Sequence, residues 1–193
     1  MKYPSGLIVF DMDSTLIGIE CIDEIARLND CYTKVAEITK AAMEGKIDFS
    51  ESLRQRVACL QGVSESSLQR LFNPIPLHPG AQELFAELKE KGWRRAIVSG
   101  GFTWFADRLA SELQADAVVA NQLEVKDGQL TGRVVGDIVD AKIKAQSLQD
   151  LANQWGIPMS KTVAVGDGAN DAMMLENAAV GIAYCAKPSL KRI

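Results

Sequence analysis

No stretch of the sequence approaches the roughly 18 consecutive apolar residues that a membrane-spanning helix requires, so no membrane partner is expected. Basic residues are not in excess either. Lys and Arg number 21 against 25 Asp and Glu, a formal net charge of -4, and the cations are scattered along the chain. That balance lacks the electrostatic footprint of a nucleic-acid binder and favours small solutes as partners. Cys21, Cys31, Cys59 and Cys185 show no CxxC spacing, which gives no support to a zinc site or a disulfide framework. The opening Met1-Lys2-Tyr3-Pro4 carries no signal-peptide pattern, and with reduced thiols the expected compartment is the cytoplasm. The Walker pattern GxxxxGK[ST] is missing, which argues against a P-loop nucleotide site. The single histidine, His78, lies in a proline-rich stretch with no nucleophile to serve and reads as structural. Trp93, Trp104 and Trp155 read as packing residues, and no internal repeat is found.

What the chain does contain is ordinary globular material: 193 residues, 47% hydrophobic and 24% charged, enough for one domain or for one domain carrying an insertion. Five short apolar runs read as buried strands: 7–10, 96–98, 117–119, 162–165 and 180–184. Helical patterns mostly separate them. Leu84, Phe85 and Leu88 share a face that Gly92 terminates, and Leu148, Leu151 and Trp155 form another stripe. This alternation predicts an α/β fold, a doubly wound parallel sheet covered by helices. The segment 123–135, with Asp127-Gly128 at its middle, predicts a hairpin attached to that sheet.

One segment breaks the alternation. Ile22, Ile25 and Ala26 share a stripe, Val35, Ile38 and Ala42 a second, and Leu53, Val57 and Leu60 a third, with no convincing strand among them. Residues 73–80, Asn-Pro-Ile-Pro-Leu-His-Pro-Gly, then supply the breakers of a return crossing. The expected organisation is an α/β catalytic core of residues 1–16 and 76–193, with residues 17–75 inserted as a small helical cap.

In open α/β sheets ligands collect beyond the carboxyl ends of the strands. The first strand ends in Asp11-Met12-Asp13-Ser14-Thr15, the second in Ser99-Gly100-Gly101, and the 162–165 strand in Gly166-Asp167-Gly168-Ala169-Asn170-Asp171. Asp11 and Asp13 are two apart and point to one side of an extended chain. Paired carboxylates repel unless a cation neutralises them, and Asp167 adds a third acid. An all-oxygen donor set favours a hard ion, Mg2+ before Ca2+. A solvated acidic turn is the alternative for the first pair taken alone.

At these residues the chain resembles the haloacid dehalogenase-like phosphatases, and the resemblance extends to those members that act on L-phosphoserine. Phe10-Asp11-Met12-Asp13-Ser14-Thr15 is similar to the first family motif, Val98-Ser99-Gly100-Gly101 to the second, Ile143-Lys144-Ala145 to the third, and Gly166-Asp167-Gly168-Ala169-Asn170-Asp171 to the fourth. Four motifs in order are far more specific than any one of them. The resemblance implies a phosphomonoester hydrolase that releases L-serine and phosphate, the last step of serine biosynthesis. Asp11 would be the nucleophile, Asp13 the general acid and base, and Lys144 the cation facing the transition state, with Lys142 as the rival lysine.

The implied Mg2+ site uses Asp11, the Asp13 carbonyl and Asp167, with Asp171 and Asn170 bracing ion and phosphate. Ser99 and Gly100 would donate to phosphoryl oxygens. In the cap, Glu20, Met43, Phe49 and Arg56 match positions that line the amino-acid pocket: Arg56 for a carboxylate, Glu20 for an ammonium, Met43 and Phe49 to exclude water. The expected partner is a small phosphomonoester, with no nucleic acid and no membrane, and a homodimer is left open. A different small phosphate, transfer to another alcohol, or an inactive binding module are the competing functions. Family members usually continue past the position of Ile193 with another strand, so an incomplete sheet is expected, and feedback through an amino-terminal regulatory domain is not.

Overall fold

The computed structural model describes residues 5–192. At its centre lies a six-stranded sheet in the order β4-β3-β2-β1-β5-β6. The strands are β1 (Leu7–Phe10), β2 (Arg94–Phe102), β3 (Ala117–Lys126), β4 (Gln129–Val135), β5 (Thr162–Gly166) and β6 (Val180–Ala183). All neighbours pair in parallel except β3 and β4, which form the expected antiparallel hairpin. The four residues of β1 are all buried, as a strand covered on both faces must be, and they alternate between two cores. Ile8 and Phe10 join the cluster that includes Phe85, Ile97 and Phe105, whereas Leu7 and Val9 join the one with Leu148, Leu151 and Leu175. Apart from Ile97 of β2, these partners belong to helices on opposite sides of the sheet: α5 (Ala81–Glu90) and α6 (Thr103–Leu113) on the first, α7 (Ala141–Gln154) and α8 (Ala172–Asn177) on the second. None of the described helices is long and apolar enough to cross a membrane.

Register decides where the chemistry collects. Phe10 stands opposite Ile97 of β2 and Val165 of β5, so Asp11 and Asp167, which follow β1 and β5, and Ser99, still within β2, stand at nearly one level. The chain runs from β1 outward to β2 on one side and later to β5 on the other. That makes the β1 edge a topological switch point, the place where open α/β sheets bind ligands.

Residues 17–75 carry four helices, α1 (Cys21–Leu28), α2 (Tyr32–Met43), α3 (Phe49–Ala58) and α4 (Glu65–Leu71), and only isolated bridges in place of strands. Ile22, Ile25, Val35, Leu53, Val57 and Leu60 are buried and continuous with the core over one sheet face. The outgoing and returning crossings are bonded to each other. Gly18 N–H donates to the Pro76 carbonyl (3.0 Å) and His78 N–H to that of Leu16 (2.9 Å). Farther out, Gly62 N–H donates to the Leu130 carbonyl and Leu130 N–H to that of Val63, which ties the helical segment to the β3–β4 hairpin as well.

Three sequence expectations change in detail. Leu84 is 42% exposed, so the buried face of α5 runs through Ala81 and Phe85 with Leu88 packed beside them. β2 begins two residues before the apolar run, because Asp116 accepts from both Arg94 and Arg95 and allows Arg95 to lie buried within the strand. All four residues of β6 are exposed, unlike those of its neighbour β5, with Val180 and Ile182 prominent. The expected 180–184 strand therefore stands at the open edge of the sheet.

Candidate active site

Lys144 organises the carboxyl edge of the sheet. Asp140 caps α7 by accepting from the Lys142 and Ile143 N–H groups (2.9 Å each), which fixes the helix phase. Lys142 and Lys144 are about 200° apart around a helix, so only one can face the sheet. Lys142 is exposed, and Lys144 is fully buried on the face shared with Leu148. Its Nζ donates to Asp11 Oδ1 at 2.6 Å and to Asp171 Oδ1 at 2.7 Å. The other oxygen of Asp171 accepts from the N–H groups of Asp167 (3.1 Å) and Gly168 (3.0 Å). Gly166 permits this: any Cβ there would collide with the Asp171 carboxylate. Asp171 is thus saturated by protein donors, while Asp11 and Asp167 keep one oxygen each without a hydrogen-bonded protein donor among the described residues.

Two buried carboxylates share one ammonium, leaving a negative charge uncompensated. Burial pushes the Asp11 carboxyl up to about 7 despite the opposing pull of Lys144, and Asp171 adds to the rise. For Lys144, burial acts downward but Asp11 and Asp171 outweigh it, so its pKa is raised and it stays protonated. Asp13, in the loop leaving β1, is pushed up to about 8 by burial and then by Glu20 and Asp11. Its Oδ2 accepts from Cys21 N–H (3.2 Å), whereas Oδ1 is shut from solvent with no partner. One acid of the pair therefore holds a proton near neutrality.

Asp11, Asp13, Glu20, Phe49, Arg56 and Asp167 line one cavity, together with Ser99, Gly100 and Asn170. Asp11 and Asp167 lie against Asp171, with carboxylate oxygens of all three within 4.8 Å of one another. A hard cation fits this set, because oxygen is the only donor, acids outnumber the buried lysine, and Asp13 Oδ1 lacks a partner. Arg56 is half-buried. Its Nε donates to the Ser52 carbonyl (3.3 Å), and its terminal nitrogens meet no hydrogen-bond acceptor among the described residues, leaving the fork open to the cavity.

A family model for haloacid dehalogenase-like hydrolases matches residues 8–176. The chain belongs to the haloacid dehalogenase-like hydrolases. Within this family it is 68% identical to a phosphoserine phosphatase of Idiomarina loihiensis, over its whole length and 88% of that relative. It is 49% identical to a phosphoserine phosphatase of Haemophilus influenzae over 97% of the chain, but spans only 60% of that longer protein. A solved structure, a phospho-aspartyl intermediate analogue of phosphoserine phosphatase, superposes with a TM-score of 0.91 at 44% identity, covering 99% of this chain and 91% of that one. A substrate-bound phosphoserine phosphatase complex has the same TM-score at 43% identity, with the same coverage.

Of the family-motif residues named from sequence, the structure brings Asp11, Asp13, Ser99, Gly100, Asp167 and Asn170 to the cavity and places Lys144 and Asp171 directly behind it. Phe49 sits over Gly100, where an added Cβ would lie 3.3 Å from its ring. Met43 is not brought in: at the end of α2 it is 76% exposed and does not line the cavity. His78 packs edge-on against Tyr184, also away from the cavity. Sequence reasoning missed Lys187, which lines the cavity and donates to both Glu20 and Asp167. It follows β6 as the aspartates follow β1 and β5, so asking what succeeds the last strand would have found it.

Proposed function

We propose that this chain is a Mg2+-dependent phosphoserine phosphatase, hydrolysing L-phosphoserine to L-serine and phosphate through a phosphorylated Asp11. The observation that carries the reading is the meeting, in one cavity, of a lysine-bound buried carboxylate with an open arginine fork and a glutamate. The first suits a phosphoryl group and the other two the carboxylate and ammonium of an amino acid. Residues 17–75 act as a cap that presents Glu20, Phe49 and Arg56 to the core. In the cytoplasm such an enzyme completes serine biosynthesis, and its described cysteines are all free thiols.

The chemistry runs in two displacements. The Asp11 carboxylate attacks phosphorus while the bond to the serine oxygen breaks, and Asp13, protonated near neutrality, gives its proton to that oxygen. Asp13, now a carboxylate, takes a proton from water as the water attacks the acyl-phosphate, regenerating Asp11 and releasing phosphate. Lys144 holds Asp11 in line, and Ser99 with the Gly100 backbone supplies hydrogen bonds to phosphoryl oxygens. Mg2+ would be held by Asp11, Asp167 and the Asp13 carbonyl, and would offset the repulsion between these carboxylates and the phosphate dianion. Asp171 and Asn170 brace this arrangement.

A phosphate-release panel over phosphoserine, phosphothreonine, sugar phosphates and an aryl phosphate tests the reading. Phosphoserine should give the highest kcat/KM, and chelation should stop release. A sugar phosphate exceeding phosphoserine would reject the substrate assignment.

A further inference from the structure

Among the described residues, Lys187 is the one cavity-lining cation that the proposed reaction does not use. Its main-chain N–H donates to the Asp167 carbonyl (2.8 Å), which fixes where the side chain begins. From there Nζ reaches Glu20 Oε1 at 2.6 Å and Asp167 Oδ2 at 2.9 Å. Glu20 precedes α1 in the loop leaving β1, and Asp167 directly follows β5, so this lysine ties the loop to the sheet. Ser14 Oγ donates to the same Glu20 oxygen at 2.8 Å. It does so from a left-handed backbone conformation, φ 59°, that a non-glycine residue adopts only when its surroundings hold it there. Oε1 therefore carries two donors, while Oε2 has no protein donor among the described residues.

Half-exposed ion pairs contribute little to stability, so a stabilising role explains this arrangement poorly. Its consequence is positional. Long flexible carboxylate side chains sample several rotamers, and two donors on one oxygen select a single presentation of the other. We infer that Lys187 is a positioning residue for amino-acid recognition, holding Glu20 with Ser14 so that Oε2 faces the substrate ammonium. The inference rests on the phosphoserine reading. Two ammonium groups near Glu20 are tolerable because Asp11, Glu20 and Asp167 all face the same cavity with carboxylates.

The test compares kcat and KM for phosphoserine and 4-nitrophenyl phosphate in wild type, Lys187→Met, Lys187→Arg, Glu20→Gln and the double variant Glu20→Gln/Lys187→Met. Lys187→Met should lose about tenfold more kcat/KM on phosphoserine than on the aryl phosphate, chiefly through KM, and Lys187→Arg should recover most of it. The double variant should be no worse on phosphoserine than Glu20→Gln alone, because the lysine acts through the glutamate. Equal losses on both substrates would make Lys187 a mere counter-ion of Asp167, and additive losses would mean that it does not act through Glu20. Either result overturns the inference. A wild-type enzyme that ignores phosphoserine but turns over the aryl phosphate would instead reject the substrate reading beneath it.

Discussion

Strand ends and motif order locate Asp11, Asp13 and Lys144 in the sequence, yet the division of labour proposed for the two aspartates rests on their surroundings. Asp11 is bonded to Lys144, whereas Asp13 has a buried oxygen with no partner. Asp11→Asn should abolish turnover with an unchanged circular dichroism spectrum, since it removes the proposed nucleophile at nearly constant volume. Asp13→Asn should lower kcat by about 10²- to 10⁴-fold. It should also stabilise the metal-free protein. With its pKa raised from 3.8 to about 8, the folded state retains a proton that the unfolded chain releases, so this group's contribution is present below the ordinary value and lost as pH rises through about 8. Asparagine has no such loss. Thermal melts in chelator should therefore show the Asp13→Asn advantage widening between about pH 4 and about pH 8. Arg56→Ala and Glu20→Gln belong to the same scale: each should reduce kcat/KM about 10- to 100-fold on phosphoserine and far less on 4-nitrophenyl phosphate, measured side by side. Lys187 escaped the sequence because a lysine is solvated by default and its partners lie 20 and 167 residues away in separate elements. Met43 and Phe49 could not be told apart there, since an apolar residue in a helical stripe does not announce which end of the helix meets the cavity.

Among the elements, strands covered on both faces were readable as unbroken apolar runs, as in Leu7–Phe10, whereas β2 hid its start behind Arg94 and Arg95. Only the tertiary pairing with Asp116 explains how Arg95 enters the sheet: the carboxylate meets its backbone N–H (2.9 Å), Nε (3.0 Å) and Nη2 (2.8 Å). Removing that partner leaves a buried guanidinium without its counter-charge. Asp116→Ala should destabilise the fold by about 3 kcal/mol, read from urea unfolding. The Asp116 pKa is lowered, with burial opposed by hydrogen bonds from Arg95 and Arg94, so its contribution is present above the ordinary carboxylate value and lost as pH falls through the folded value. The difference between wild type and variant should therefore shrink in acid. From sequence, only the motif resemblance favours Lys144 over Lys142; the structure separates them by helix phase, since Lys144 shares the buried face of α7 with Leu148 and Leu151 and Lys142 falls on the opposite side.

At the scale of the whole molecule, sheet register and the helical segment inserted after β1 assemble the cavity from residues as distant in sequence as Asp11, Arg56 and Asp167. The alternation of strands and helices made the sheet legible. The bonds tying the helical segment to the β3–β4 hairpin were not, since backbone groups carry no sequence signature. The excess of buried acid at the sheet edge would make the cation proposed for catalysis stabilising as well. Mg2+ at 100 times its dissociation constant should raise unfolding stability by about 2.7 kcal/mol, seen as a higher melting temperature, and Ca2+ should restore activity poorly because it takes more and longer oxygen bonds. The central claim, that phosphate leaves the substrate by way of a protein carboxylate, is tested most directly by rapid acid quench of the enzyme during phosphoserine turnover, followed by mass spectrometry of its peptides. One phosphoryl group on Asp11, absent from Asp11→Asn, is the expected result. Sustained turnover with the phosphoryl group on another residue, or on none at any quench time, would contradict the account.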